Sequence, residues 1–403
     1  MDSTKPLLAI AVLAACLCTS CSTAPWTNGE YLHRYAFWGI KTQISSSDDY
    51  KLFPYHTIAK ADAPFRFVPA PAAIPQFVEY RDGDSVKRLE LDHLLRSTGT
   101  HAFIVVRDDR LLYEGYFNGY QRNSVCISRS MAKSFTSALV GIALAEGYIQ
   151  SVDDPFVEYL PELKGQGFDS ISIRQLLMMQ SGIRYRQGAL PWDDDQLAYF
   201  YPNLRGLLLK HMQFAEPPGL AFHYTDYNTL LLGMILERAI HRTPSAYLEE
   251  KIWKPIGMEY PATWSIDSES DGLELMHAAL NARAIDFARF GRLYLNRGRW
   301  NGRSIIPERW VVDSTVKEPG KQLPWETYDR WPELGGYYKY QWWGLSRGAD
   351  DYSYMAFGRY GQFIFVSPRT RLVIVRTGSR TGIPPLCWPL VLQSVADQMG
   401  GSG

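Results

Sequence analysis

Histidine and cysteine are scarce in this 403-residue chain, at 8 and 5 copies. The histidines are scattered, with no His-Glu-x-x-His and no metal-ligand spacing, so no metal centre is expected. There is no Gly-x-Ser-x-Gly elbow, no Walker loop and no dinucleotide glycine fingerprint. These absences argue against an α/β-hydrolase, a nucleotide hydrolase and a nicotinamide enzyme, and no cofactor is expected. Net charge is also missing: Lys+Arg and Asp+Glu number 42 each. A broad attraction to nucleic acid is therefore not expected. No apolar run reaches the ~20 residues that cross a bilayer. Asp193-Asp194-Asp195 has the chemistry of a cation site, but the plainer reading is a solvated loop.

What is present begins with a leader. Pro6 to Leu17 is almost wholly apolar, follows Lys5 and is succeeded by small residues and cysteines. This is the pattern of a secretory signal. Leu13-Ala14-Ala15-Cys16 has lipobox character, and Cys21 is a competing lipidation site. The expectation is a lipid-anchored protein of a bacterial cell envelope, or a secreted one, with residues 1–21 as leader. Only Cys126 and Cys387 remain in the body, and two buried free thiols are the simpler expectation.

Residues 22–85 are rich in proline and lack periodicity, so they read as an extension wrapping a main domain at 86–400. Ala102–Val106 and Leu111–Phe117 flank Arg107-Asp108-Asp109-Arg110 as a β-hairpin. Phe363–Val366 and Leu372–Val375 make a second hairpin. Between them the chain reads as helices over 131–146, 173–180, 230–240, 245–253 and 285–296, with another opened by Pro307. This order predicts an α+β fold, an antiparallel sheet of N- and C-terminal strands with an inserted helical subdomain.

The chemistry centres on Ser130-Met131-Ala132-Lys133. Positions i and i+3 of a helix share a face, so hydroxyl and amine can hydrogen-bond. A lysine becomes a usable base only where burial and neighbouring cations favour its neutral form. Ser-x-x-Lys alone is weak, and Ser314-Thr315-Val316-Lys317 is a second copy. That copy falls late in a helix with charged neighbours and reads as an exposed helical face. Tyr224, on the loop before the 230–240 helix, is a candidate proton relay, or one packing tyrosine among 25. Phe357-Gly358-Arg359-Tyr360-Gly361-Gln362 precedes the strand at 363, where glycines allow close approach to a substrate or simply mark a bulge.

In this order, Ser-x-x-Lys, Tyr224 and the basic-x-Gly triplet resemble the serine β-lactamase and penicillin-binding-protein superfamily. Leu176-Leu177-Met178-Met179-Gln180-Ser181-Gly182, Ile256-Gly257-Met258 and Asp286-Phe287-Ala288-Arg289-Phe290-Gly291 strengthen the likeness, which runs from about residue 90 to 395. Tyr116-Phe117, Gln341-Trp342-Trp343 and Arg369-Thr370 are similar to the 6-aminohexanoate-dimer hydrolase and esterase-like branch, near the class C β-lactamases. The resemblance implies an acyl-enzyme mechanism. Ser130 is the implied nucleophile, Lys133 the base and Tyr224 the relay to the leaving group. The backbone amides of Ser130 and Gln362 are the implied oxyanion donors. Tyr185 resembles a substrate-contacting tyrosine of that branch.

Two departures stand out. Asp226 replaces the usual Asn or Ser, and a carboxylate there favours a charged amine. The triplet Arg359-Tyr360-Gly361 replaces Lys-Thr-Gly or His-x-Gly. The expected substrate is therefore a small amide or ester, ahead of a β-lactam and of D-Ala-D-Ala. A monomer or homodimer is expected, touching a membrane only through its anchor. The competing expectation is a catalytically silent envelope lipoprotein that binds peptidoglycan fragments or a protein partner.

Overall fold

The computed structural model describes residues 24–39, 47–82, 85–270, 272–318, 323–348 and 350–400. The leader, with Cys16 and Cys21, lies outside them. Among the described residues no helix is long and apolar enough to cross a membrane.

The first hairpin is β1 (Thr100–Arg107) and β2 (Arg110–Tyr116). Near the other end of the chain come β3 (Gly336–Lys339), β4 (Trp342–Ser346), β5 (Tyr352–Gly358), β6 (Gln362–Ser367) and β7 (Leu372–Gly378). They join in one sheet of order β3-β4-β5-β6-β7-β1-β2, extended at the β2 edge by Val68–Pro69 in parallel. β7 pairs antiparallel with β1, Leu372 opposite Arg107, so the two ends of the chain meet in mid-sheet. β1 is apolar without alternation because both its faces are covered. Ala102, Ile104 and Val106 enter one core and Phe103 and Val105 the other, as the period of two requires.

The first core holds the helical layer: α1 (Ala132–Ala145), α2 (Asp226–Ile240) and α3 (Ala284–Leu295). The second is closed by α4 (Trp388–Gly400). α1 is buried continuously from Ala132 to Ala143, with Lys133, Ser134, Thr136 and Ser137 enclosed along with its apolar residues. α3 lies against the sheet through Gly291, where a Cβ would come within 2.5 Å of Val373 Cγ1 and 2.8 Å of Ile364 Cγ2.

A smaller antiparallel sheet positions the candidate nucleophile. Its strands are Tyr55–Ile58, Ala262–Ser265, Leu280–Ala282 and Cys126–Ile127, in that order. Cys126 pairs with Ala282 and Ile127 with Asn281, so the turn carrying Ser130 lies beside the residues just before Leu280. Arg129 has φ +49°, a sparsely populated conformation for a residue with a side chain. Its buried guanidinium is held 2.7 Å from the buried Asp49 and lies over the Tyr199 and Tyr360 rings. The proline-rich extension thus anchors the turn.

Several expectations need correction. β3, β4 and β5 lie in aromatic runs without alternation and were not anticipated. Residue 85 is no boundary in space, since Phe77–Asp82 and Ser85–Glu90 pair as a hairpin across it. The helix from 173 stops at Leu177, and Met179 takes φ +58°. The 245–253 helix is split into Pro244–Leu248 and a wider turn, Glu249–Trp253. Ser314 is not on an exposed face. It is buried in the helix Glu308–Thr315, with its hydroxyl on Trp310 O at 2.6 Å, while Lys317 lies beyond the helix end. As expected, Cys126 and Cys387 are both buried and are not joined in a disulfide.

Two stability tests follow from these contacts. Gly291→Leu overpacks the α3–sheet contact and is expected to cost about 1–3 kcal/mol, read as a lower thermal midpoint. Asp49→Ala leaves the Arg129 guanidinium buried without its carboxylate. A loss of about 3–5 kcal/mol is expected in urea unfolding, with an unchanged midpoint counting against the anchoring role.

Candidate active site

Ser130 sits in the tight turn Arg129–Met131 that leads into α1, and Lys133 lies one turn later. The Lys133 side chain is 1% exposed, so its amine needs partners inside the protein. It donates to Ser130 Oγ at 3.0 Å, Asp226 Oδ1 at 2.6 Å and the His277 carbonyl at 3.0 Å. Tyr224 precedes Thr225, whose hydroxyl caps α2 by accepting from Tyr227 N. The ring centroid of Tyr224 lies 4.9 Å from Lys133 Nζ, and Tyr224 and Ser130 line the same cavity. Burial first, then Asp226, holds this phenol well above the usual tyrosine range, so it stays protonated.

Asp226 occupies the first turn of α2, where a helix terminus favours an anion. Burial pushes its carboxyl up, but Lys133, then His277 and Arg359, outweigh burial and bring it down to about 2. Tyr185, also buried, directs its hydroxyl to Asp226 Oδ2 at 3.1 Å and Asp195 Oδ1 at 2.8 Å. Asp195 moves the opposite way: burial first, and then Asp226, raises it to about 6. Arg359 Nη2 stands 3.6 Å from Asp195 Oδ2.

A cavity of about 350 Å³ opens here, and its wall includes Ser130, Tyr224, Asp226, Tyr328, Trp343 and Arg359. That size suits a small organic substrate. A second chamber of about 60 Å³ opens on Ser130 between Arg129, Tyr199 and His277.

Of the residues singled out from sequence, Ser130, Lys133, Tyr224, Asp226 and Tyr185 converge, and Arg359 and Tyr360 line the same cavity. Gly361 and Gln362 do not. The triplet forms the turn after β5 rather than the start of a strand, with Tyr360 at φ +67° and Gly361 at φ +76°. Gly361 faces Arg376, and the Gln362 side chain is tied to Gly378, donating to its carbonyl at 2.5 Å and accepting from its amide at 3.0 Å. The close approach belongs instead to Gly358, where a Cβ would stand 3.0 Å from Ser130 N.

The aspartate run is corrected too. It opens the helix Asp194–Phe200 with all three carboxylates engaged. Asp193 accepts from Leu190 N, Asp194 from Arg186 N and Tyr227, and Asp195 from Tyr185. Among the described residues no cluster of His, Cys, Asp or Glu has metal-site geometry. Sequence reasoning missed Asp49, Arg129 and His277, none of which lies in a recognisable motif, although Arg129 adjoins Ser130.

Residues 91–386 match the Beta-lactamase family. The chain is 27% identical over 346 residues, 82% of it and 83% of the relative, to a 6-aminohexanoate-dimer hydrolase of Paenarthrobacter ureafaciens. A solved structure described as a 6-aminohexanoate-dimer hydrolase from Bacillus anthracis superposes with TM-score 0.73 at 26% identity, covering 94% of this chain and 98% of that one. A β-lactamase-like structure from Bacteroides dorei DSM 17855 shares the fold, with TM-score 0.61 at 19% identity over 76% of this chain and 95% of its own. The α+β architecture of two chain termini in one sheet around a helical layer is thus the fold of these relatives, and the chain is a serine hydrolase belonging to the Beta-lactamase family.

Proposed function

We propose that the protein cleaves an amide or ester bond of a small acyl substrate through an acyl-enzyme on Ser130. The observation that carries this reading is that Lys133 reaches Ser130 Oγ at 3.0 Å with the Tyr224 ring beside its amine, while Ser130 and Tyr224, from two distant segments, line one 350 Å³ cavity. Lys133, in its neutral form, takes the hydroxyl proton at 3.0 Å as Oγ bonds to the carbonyl carbon. Tyr224 gives its phenolic proton to the departing nitrogen or oxygen and recovers one from Lys133. The backbone amide of Ser130 receives the developing oxyanion. Its partner is the amide of Arg359, which follows Gly358 at the Ser130 turn, in place of Gln362. A linear amide is supported by the name of the relative from Paenarthrobacter ureafaciens. A silent binding protein is the second reading, and the 2.6 Å Lys133–Asp226 pair favours it, because a held ammonium is not a base.

A fluorophosphonate probe separates the two. An adduct on the wild type, read by intact mass and lost in Ser130→Ala, is expected; no adduct on either favours the binding protein. Lys133→Ala is expected to lower kcat/KM for p-nitrophenyl acetate by about 10²–10⁴-fold. Nitrocefin is expected to turn over barely, and rapid hydrolysis reverses the substrate order. Removing the carboxylate beside the amine favours its neutral form. Asp226→Asn is therefore expected to move the ascending limb of kcat/KM against pH to lower pH, and an unmoved limb counts against Lys133 as the base.

A further inference from the structure

The small chamber beside Ser130 has a wall that the acylation chemistry does not use. His277 is 2% exposed, and neither ring nitrogen has a hydrogen-bond partner among the described residues. A buried, unpaired imidazole is costly unless something at the site satisfies it. Its Nε2 stands 3.9 Å from Asp226 Oδ2, too far for a direct hydrogen bond. A single water about 2.8 Å from each atom fits that separation. The chamber of about 60 Å³ exceeds the roughly 10–15 Å³ that one water needs. Ser130 and Asp226 border both this chamber and the 350 Å³ cavity, so an acyl group on Ser130 is within reach of both.

We propose that His277 and Asp226 hold the water that hydrolyses the acyl-enzyme, which makes His277 a positioning residue for deacylation. The inference rests on the acyl-enzyme reading above. The water oxygen bonds to the acyl carbon as the bond from that carbon to Ser130 Oγ breaks. One water proton passes to Asp226 Oδ2. A half-turn of the protonated carboxyl brings that same proton to the side facing Lys133, 2.6 Å away, and as the amine takes it Lys133 hands one to Oγ at 3.0 Å. The net change is water consumed, a carboxylic acid released and the serine hydroxyl restored. His277 accepts the second water hydrogen. Its ring is neutral for that purpose, because burial first and then Lys133 and Arg129, against the pull of Asp226, bring its pKa down to about 4.

The test is rapid mixing of the full chain with p-nitrophenyl acetate, followed by quenching and intact mass. For His277→Ala, the expected result is unchanged kcat/KM, kcat down by about 10²-fold, and acetyl-Ser130 accumulating in the steady state. His277→Gln, which keeps a polar tip, is expected to recover about tenfold of the lost kcat. Ala278→Val, which narrows the chamber from its own wall, is expected to give the same split. A parallel fall of kcat and kcat/KM, or unchanged kcat, overturns the proposal. If His277→Ala does not fold, Ala278→Val decides alone. Release of p-nitrophenol with no acetyl on Ser130 in wild type and in both variants refutes the acyl-enzyme reading itself, and with it this inference.

Discussion

A buried ammonium organises this molecule. At 1% exposure Lys133 has no water to solvate it, and an unpaired buried charge costs several kcal/mol. Its three acceptors come from residues 130, 226 and 277, spread across 148 positions of the chain. The hydroxyl, the first turn of α2 and the loop before Leu280 must all reach their places for Lys133 to be buried. Lys133 therefore couples the helical layer, the small sheet and the candidate site. The same demand accounts for α1, which is buried from Ala132 to Ala143 and carries its one charge in its first turn, beside Ser130.

Much of this was legible because it is local. The two hairpins advertise themselves through short apolar runs around charged turns, and they became β1–β2 and β6–β7. Their joining in one sheet followed from order along the chain. Ser130 and Lys133 needed only helical spacing to be paired. β3 to β5 were hidden because their residues are buried on both faces, which erases the alternation that marks a half-exposed strand. Asp193 to Asp195 read as solvated because nothing in their own neighbourhood reveals the phenols of Tyr185 and Tyr227 that receive them.

What sequence could not show is long-range. Asp49 lies 80 residues from Arg129 and meets it only in the folded chain. His277 belongs to no motif, and its meaning comes from a strand pairing, Cys126 with Ala282, that brings its loop to Ser130. The shift from Gly361 to Gly358 has a different origin. A Gly-rich segment announces that a backbone must come close, but not which glycine does so. That depends on where β5 ends, and the left-handed conformations of Tyr360 and Gly361 place its end at Gly358.

Asp226 poses the sharpest physical question, because one carboxylate serves two opposed needs. During acylation its charge holds the proton on Lys133, which works against a base. Yet in the folded protein that charge also keeps the amine in place, since a neutral lysine in a buried pocket has little to orient it. Two further groups temper the carboxylate. Tyr185 donates to one of its oxygens, and Asp195, raised to about 6, is the member of the carboxylate pair that yields its charge first. Placing a second carboxyl behind a shared phenol lets the pocket shed negative charge without unpairing Lys133. An asparagine would orient the amine without this charge. The aspartate, its carboxyl held down by Lys133, adds a charged acceptor on the side of Ser130 where His277 stands. A site that must lose a leaving group into one cavity and admit water from another gains from having a polar group that faces both.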